Sequence, residues 1–362
     1  MDLHTEIILE QYDALCPVLE QMKTVVGDLL EKNLLSNGIE VTSIATRIKT
    51  RSSLQGKLEL KGSKYASIDD ITDLLGARII TFYTDDVDRI AAIAEKLFDI
   101  DWENSVDKRR LHDLDSFGYN SLHYICRLPK TLYCAPEYPE LNEVRFELQL
   151  RTTLQHAWAA INHDTGYKSG VEIPREYKRQ MNRLASMLEL ADDEFSRIRT
   201  AINDYRRRVE QLVIGGKLDD VLLDGDSFSR YLQTEPFDTL NKRIAAINQA
   251  EIQEVSLLPY LKVFMAFDCH TLGDLNRLCK QYEEDAYTLA RHQLGTTDID
   301  IVSSAIGVQN ICIVYILSQG GGKIGLTRFF NAINGLSPQN EMLADATFAL
   351  AQDLPFMKHL NT

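Results

Sequence analysis

The sequence lacks any long hydrophobic run. No apolar stretch approaches the ~20 residues that a membrane-spanning helix requires, although 44% of the 362 residues are hydrophobic. The first thirteen residues, MDLHTEIILEQYD, carry acidic side chains where a secretory signal peptide would carry basic ones. These absences argue against a membrane-embedded or secreted protein and predict a cytoplasmic one.

The sequence has few cysteines, and they form no recognisable pattern. None belongs to a C-x-x-C pair, and none stands near histidines at zinc-binding spacing. This distribution argues against a structural zinc site or a disulfide framework. We expect reduced core residues at all six positions: Cys16, Cys126, Cys134, Cys269, Cys279 and Cys312.

Positive charge is also scarce. The net charge is -14, and neither half of the chain is basic overall. Such a balance disfavours a surface for long nucleic acid, whose binding relies on many lysines and arginines. Between Arg47 and Lys64, however, six basic residues stand against the single acidic Glu59. One basic pocket in an acidic protein indicates a small polyphosphate ligand.

The chain is long enough for two domains, each with its own core. Apolar residues at helical spacing predict helices between residues 3 and 34 and again from Pro174 to Val213, where Gly215 and Gly216 follow. We therefore predict three parts. They are a domain over residues 1–170, a long helical connector over 171–214 and a helical C-terminal domain of unknown role over 215–362.

Helices and strands are predicted to alternate in the first part. In order, they are a helix carrying Arg47 to Lys57, a strand over 77–83, a helix over 85–98, a charged loop over 101–116, and strands over 122–128 and 143–150. On the first of these helices, Lys49, Ser53 and Lys57 would share one face at i, i+4 and i+8. The predicted fold class is α/β, with a small mixed sheet flanked by helices, followed by an all-α C-terminal region.

Four ordered motifs carry a specific resemblance. R-x-K-x-x-x-S-x-x-x-K starts at Arg47, D-L-x-x-x-R at Asp73, G-Y-x-S-L-H at Gly118 and E-L-Q-L-R-T at Glu147. Together they resemble the synthetase domain of RelA/SpoT-type alarmone synthetases, over about residues 31–169. The helix that follows, LQHAWAAINHDTGYKS, resembles that of small alarmone synthetases. The resemblance implies a fold related to nucleotidyltransferases.

The resemblance also implies a nucleotide donor site. Asp73 and Glu147 would bind Mg²⁺, a hard cation that usually takes only one or two protein carboxylates beside water and phosphate. Arg47 and Arg78 would stack on either side of adenine, as planar guanidinium groups can. The ATP phosphates would be held by Lys49, Ser53 and Lys57.

A second set of residues would bind the acceptor nucleotide. Tyr119 matches a tyrosine that stacks on guanine. Glu147 is also the candidate for accepting the proton of the attacking hydroxyl. The remaining acceptor-binding candidates are His123, Gln149, Arg151, Lys108 and Arg109. One departure concerns this site: Leu114, Asp115, Ser116 and Phe117 replace the P-K-x-N of many family members.

The function implied is an ATP-dependent pyrophosphokinase that transfers the β,γ-pyrophosphate of ATP to the 3′-hydroxyl of GDP or GTP, making (p)ppGpp. Two alternatives stay open. The altered segment over 114–117 allows a toxin-like relative acting on adenine nucleotides or the 3′ end of tRNA, and the helical C-terminal half allows a catalytically silent nucleotide sensor. Expected partners are ATP and GDP or GTP, with no membrane or long nucleic acid. A homo-oligomer or a protein regulator could use the C-terminal helices.

Overall fold

A computed structural model describes residues 3–61, 64–107, 121–130, 139–167, 174–295 and 297–358. The chain divides into two compact units, Met1–Thr200 and Ala201–Thr362. The boundary between the units lies inside one long helix, Arg175–Ile214. The predicted borders at residues 170 and 214 stay predictions.

The first unit is built on a mixed sheet. Its elements are α1 (Leu3–Ser36), β1 (Ser43–Ile48), α2 (Arg51–Lys61), β2 (Leu75–Thr81), α3 (Thr84–Leu97), β3 (Asp99–Ile100), β4 (Val106–Asp107), β5 (Leu122–Arg127), β6 (Phe146–Thr152), α4 (Thr153–Tyr167) and the first part of α5 (Arg175–Ile214). Short 3₁₀ turns cover Ile68–Asp70 and Pro139–Asn142. The strand order is β1-β2-β6-β5-β3, with β4 also paired to β5.

Strand directions make the sheet mixed, as predicted. β2 and β6 run parallel, whereas β1 on β2 and β5 on β6 are antiparallel. β2 and β6 bury most of their side chains, as expected for strands in the middle of a sheet. Helix α1 buries Leu19, Met22 and Val26 in the core that it shares with Leu75 and Leu148. The prediction of an α/β fold with a small sheet flanked by helices is confirmed.

The predicted helix from Arg47 to Lys57 is wrong. Residues 43–48 form strand β1, and the helix α2 begins only at Arg51. The segment VTSIATRI is rich in β-branched residues, which favour a strand that pairs with β2. Thr50 then stops the strand and caps the helix, because its Oγ1 accepts a hydrogen bond from the backbone N–H of Ser53 at 3.3 Å.

Two strand boundaries also differ from the prediction. β2 covers Leu75–Thr81 instead of residues 77–83, and β6 covers Phe146–Thr152 instead of 143–150. β2 and β6 pair in parallel over the same seven steps, from Leu75 opposite Phe146 to Thr81 opposite Thr152. The partner strand therefore sets where each strand begins and ends, which a single segment does not reveal.

The second unit is helical. After the end of α5 come a 3₁₀ turn at Leu218–Asp220, α6 (Gly225–Leu232), α7 (Asp238–Ala245), β7 (Glu251–Gln253), α8 (Tyr260–Ala266), α9 (Leu272–Leu294), β8 (Ile301–Ser303), α10 (Ile306–Ser318), α11 (Gly322–Asn334), α12 (Gln339–Ala351) and α13 (Pro355–Lys358). Its core includes Phe228, Phe264 and Phe330, all 2% exposed or less. The predicted helical C-terminal region is confirmed, with one correction: β7 and β8 pair as a short parallel ladder.

Two further expectations concern the cysteines and membrane-spanning helices. Cys126, Cys269, Cys279 and Cys312 are buried free thiols and Cys16 is half-buried, whereas Cys134 lies outside the described residues. Among the helices that the structure describes, none is long and apolar enough to span a lipid bilayer.

Candidate active site

Three neighbouring strands form the floor of a pocket of about 280 Å³. In the sheet, Arg47 on β1 lies opposite Gly76 on β2, and Gly76 lies opposite Glu147 on β6. Because side chains alternate along a strand, Arg78 and Gln149, two residues further on, face the same side. The side chains around the pocket include Arg47, Lys49, Asp73, Arg78, Glu147 and Gln149. The structure thus brings six predicted site residues together.

Asp73, just before the start of β2, accepts hydrogen bonds from two lysines. Its Oδ2 accepts a hydrogen bond from Lys49 Nζ and its Oδ1 one from Lys57 Nζ, both at 2.8 Å. Burial alone would raise the pKa of Asp73, but the hydrogen bonds and charges of the two lysines outweigh it and lower that pKa below its usual value. The carboxylate is therefore ionised at neutral pH, with both oxygens occupied.

The two lysines reach Asp73 from different elements. Lys49 lies in the short link after β1, where its carbonyl oxygen accepts a hydrogen bond from the Tyr12 hydroxyl of α1 at 2.5 Å. Lys57 comes from α2, and its Nζ also lies 5.1 Å from the centre of the Tyr65 ring. Both ammonium groups bind Asp73 and Lys49 also lines the pocket, although the two residues do not share a helix as the sequence had predicted.

Glu147 is fixed by hydrogen bonds to both carboxylate oxygens. His123 Nδ1 lies 2.6 Å from Oε1, and Gln149 Nε2 donates to Oε2 at 2.9 Å. A carboxylate only accepts, so His123 carries a proton on Nδ1, while its Nε2 contacts Ser121 Oγ at 2.8 Å. Burial opposes ionisation of Glu147, yet His123 and Gln149 lower its pKa below the usual value.

The part of β6 that follows Glu147 is positively charged. Gln149 Oε1 accepts hydrogen bonds from Arg78 Nε at 3.2 Å and from Arg151 Nη2. Burial, together with the neighbouring charge of Arg78, lowers the pKa of Arg151 to about 10. Burial and these same two arginines lower the pKa of His156 on α4. An anion bound here would relieve the repulsion between the two guanidinium groups.

Some predicted site residues do not join the pocket. The Oγ of Ser53 accepts a hydrogen bond from Thr50 Oγ1 at 2.8 Å, on an exposed turn of α2. His123 contacts Glu147 directly, so it supports the carboxylate in addition to any contact with an acceptor. Tyr119, Lys108 and Arg109 lie outside the described residues, and their predicted roles stay predictions.

Sequence reasoning missed two residues that shape the site. Gly76 lines the floor, and a Cβ built on it would meet only the Arg47 carbonyl oxygen, at 3.9 Å. A glycine in the interior of a strand is a signal of close approach by another group, and it could have pointed to this position. Tyr12 gave no such signal, because its contact with Lys49 depends on how α1 packs.

Comparison with known proteins identifies the part of the chain in which these residues lie. Residues 46–172 match the family model described as "Region found in RelA / SpoT proteins". This stretch, about a third of the chain, is similar to that family region and is called the RelA/SpoT region below. The RelA/SpoT region contains both carboxylates and both arginines of the pocket, together with Lys49 and Lys57.

Two curated relatives from Bacillus subtilis (strain 168) match the same part of the chain. GTP pyrophosphokinase YjbM is 27% identical over 162 residues, which cover 44% of this chain and 73% of that protein. GTP pyrophosphokinase YwaC is 24% identical over 176 residues, covering 48% and 80%. In both cases the matched stretch covers most of the relative and less than half of this chain.

Solved structures align over a similar stretch. The crystal structure of small alarmone synthetase 1 from Bacillus subtilis covers 54% of this chain and 99% of its own, with 22% identity and a TM-score of 0.45. A crystal structure of the same synthetase bound to its product pppGpp aligns with 23% identity and a TM-score of 0.45.

Proposed function

We propose that this chain transfers the β,γ-pyrophosphoryl group of ATP to the 3′-hydroxyl of GDP or GTP, giving AMP and (p)ppGpp. The observation that carries the proposal is that Asp73, Glu147 and Lys49 line one pocket within the RelA/SpoT region, where Lys57 also binds Asp73. Two curated relatives are named as GTP pyrophosphokinases. Phosphoryl-type transfer depends mainly on positioning and on neutralising charge, which is what these residues offer.

The donor set suits Mg²⁺. Asp73 and Glu147 supply hard carboxylate oxygens, both pKa values are lowered, and a magnesium ion needs few protein ligands beside phosphate and water. Among the described residues, no group of three or more acidic, histidine or cysteine side chains forms a fuller metal site. When bound, the metal would neutralise charge on the phosphate oxygens.

The lysines would exchange partners when ATP binds. Each oxygen of Asp73 accepts one hydrogen bond, from Lys49 or Lys57, and the positive charge of a metal on Asp73 would repel both ammonium groups. The triphosphate is the natural new partner, since its oxygens attract the same positive charge. Arg47 and Arg78 face the pocket from neighbouring strands, and we assign them to the adenine ring.

The reaction balances without a covalent intermediate on the protein. The 3′-oxygen of the acceptor forms a bond to the β-phosphorus as the bond to the α,β-bridging oxygen breaks, and AMP leaves with that electron pair. Glu147 would orient the attacking hydroxyl and accept its proton, because its carboxylate stays ionised at neutral pH. Gln149 and Arg151, which share a hydrogen bond on β6, would bind the acceptor nucleotide.

An acceptor panel tests this proposal. The purified chain with Mg²⁺ and γ-labelled ATP would be offered GDP, GTP, ATP and deacylated tRNA in separate reactions. We expect label on GDP or GTP, lost in Glu147→Gln and kept in Glu20→Gln, which changes an exposed carboxylate on α1. Label on ATP or tRNA alone would show a different acceptor, and binding of nucleotides with no transfer to any acceptor would favour the sensor.

A further inference from the structure

The two short strands of the second unit form a ladder with unpaired edges. β7 and β8 pair in parallel, and no third strand in the described part of the chain joins them. A strand edge presents a row of backbone N–H and C=O groups with which another extended chain can pair. The ladder is therefore a place where the second unit could accept a strand from another molecule.

Hydrogen bonds to β8 use alternate residues of β7. Glu251 donates its N–H to the carbonyl oxygen of Asp300 at 2.8 Å, and the carbonyl oxygen of Gln253 accepts from the N–H of Ser304 at 2.9 Å. Ile252, between them, therefore directs its N–H and C=O away from β8. Glu251 and Gln253 are exposed, and Ile252 is partly buried. The outer edge of β7 thus offers one donor and one acceptor to an added strand.

A cavity of about 360 Å³ lies beside β7. Ile252 and Glu254 line one side of it, whereas α7 and residues 232–237 line the other. All three residues of β8 are described, and none of them lines the cavity. Since side chains alternate along a strand, every second side chain of an added strand would face the same side as Ile252 and Glu254. One of these side chains would enter the cavity.

Part of the cavity wall is apolar. Leu232, Phe237 and Leu257 line it together with Ile252. Long side chains that end in a charge often lay their hydrocarbon stem against such a surface and keep the charged group at the opening. The cavity therefore suits the stem of a lysine or an arginine.

The charged residues around the cavity favour a cation. Lys242 is already paired, because its Nζ lies 2.7 Å from the carboxylate of Asp238. Glu235 and Glu254 are exposed, and neither has an ion-pair partner among the described residues. The charge left over is negative. An ammonium or guanidinium group at the end of the incoming side chain would complement it.

The surroundings of the ladder are acidic as well. Residues 246–261 and 293–304, which contain the two strands and their flanks, include no lysine or arginine. They carry four exposed acidic residues: Glu251, Glu254, Asp298 and Asp300. A second copy of this chain would bring the same negative charges to the edge, and a nucleic acid would bring phosphates, so both would be repelled. A basic polypeptide would be attracted.

We propose that the outer edge of β7 binds an extended, basic segment of a partner protein. The segment adds to β7 as a third strand, and one of its lysines or arginines enters the cavity between β7 and α7. The stem of this side chain lies against the apolar wall, and its charged group pairs with Glu235 or Glu254. The site lies within the second unit, and its binding does not depend on the function proposed above.

Fluorescence anisotropy of labelled synthetic peptides with the full-length chain tests the site. The probes are nonapeptides with valine or threonine at odd positions and lysine, arginine, asparagine or glutamate at even positions. We expect saturable binding of the lysine and arginine peptides only. N-methylation of one alternate set of peptide amides should abolish binding, whereas methylation of the other set should preserve it, because only every second N–H of an added strand points at its neighbour.

Variants of the chain separate the site from general attraction to an acidic protein. Glu235→Gln combined with Glu254→Gln should weaken the basic peptides by about fivefold. Ile252→Pro removes the outward N–H without removing a hydrogen bond to β8, and it should also weaken them. Glu341→Gln, which changes an exposed carboxylate on α12, is the control and should leave binding unchanged. The thermal unfolding temperature of each variant checks that it is folded.

Four results would overturn the proposal. They are equal affinity for the lysine and glutamate peptides, equal effects of the two methylation patterns, an equal loss in Glu341→Gln and in the double variant, and no saturable binding of any peptide up to about 1 mM. Self-association of the chain that Ile252→Pro abolishes would assign the edge to a second copy and would overturn it too.

Discussion

At the scale of single residues, the candidate site is a set of opposite charges held close together. Asp73 lies between two lysines, and Glu147 lies between His123 and Gln149. The four motifs in the sequence predicted that both carboxylates and both lysines share one site. It could not show that the lysines contact Asp73, because this contact depends on the separate paths of β1 and α2.

The Asp73 cluster predicts a pH dependence of stability. Lys57→Met should lower the free energy of unfolding by about 1 kcal/mol at pH 7, as expected for a partly exposed ion pair. The pKa of Asp73 is lower in the folded chain than its ordinary value. Its ionic contribution is therefore fully present above about pH 3.9, the usual unfolded value, and is lost as the pH falls through the lower folded value.

Urea unfolding of wild type and Lys57→Met from pH 7 to pH 2.5 measures this contribution. The difference between the two proteins should shrink below about pH 3.9. Lys23→Met, which removes an exposed lysine next to Glu20, is the control and should show little difference at any pH. A difference for Lys57→Met that stays constant down to the lowest pH would contradict the role given to Asp73.

A larger side chain at position 76 should block the nucleotide pocket. Gly76→Val should weaken binding of a non-hydrolysable ATP analogue by about tenfold or more, because the new side chain would occupy open space between Arg47 and Glu147. Valine is favoured in strands, so β2 should remain intact. Isothermal titration calorimetry measures the affinity.

A matched glycine substitution is available on α2. Nothing lies within 4 Å of a Cβ built on Gly56, so Gly56→Ala should leave nucleotide affinity unchanged and stabilise the helix by about 0.5–1 kcal/mol. Normal nucleotide affinity in Gly76→Val would mean that the nucleotide does not occupy this pocket.

At the scale of elements, the order of helices and strands was largely readable from the sequence, but one element was not. The spacing of Lys49, Ser53 and Lys57 suggested a helix, whereas the β-branched residues around Ile44 and Thr46 favoured the strand that the structure contains. Polar spacing at i, i+4 and i+8 is weak evidence for a helix when no apolar stripe accompanies it. Pairing with β2 stabilises residues 43–48 as a strand.

The start of α2 predicts an effect of Thr50 on both stability and binding. Thr50→Ala should destabilise the first unit by about 1 kcal/mol, because the N–H of Ser53 loses its acceptor. It should also weaken binding of the ATP analogue, since α2 carries Lys57. Thr50→Ser should restore both properties, and unfolding and calorimetric titration would measure them. Unchanged affinity of Thr50→Ala for the ATP analogue would show that the N-cap hydrogen bond of Thr50 does not determine the position of Lys57.

At the scale of the whole molecule, each of the two units has a large hydrophobic core among its described residues, and the RelA/SpoT region contributes to the core of the first unit. The helical nature of the second unit was predictable from apolar periodicity. Its short β7–β8 ladder was not, because each strand has three residues and the two are separated by about fifty in sequence. The role of the second unit has no motif to indicate it.

We expect a cavity in the core of the second unit to reduce the local protection of backbone amides from hydrogen exchange. Phe264 is completely buried, and Phe264→Ala should destabilise the second unit by about 3–5 kcal/mol through the cavity that it leaves. Hydrogen exchange followed by mass spectrometry should show faster exchange in α9 and α10. Met265→Ala, an exposed neighbour on the same helix, is the control and should change little. Unchanged exchange in Phe264→Ala would contradict the assigned core.

If the chain moves a pyrophosphoryl group as one unit, ³¹P NMR of a reaction containing ATP, Mg²⁺ and GDP will show it. We expect AMP and a 3′-diphosphate on the acceptor in equal amounts, with both signals absent in Asp73→Asn and Glu147→Gln. Formation of ADP with inorganic phosphate, or of AMP and the 3′-diphosphate at undiminished rates in both variants, would contradict it.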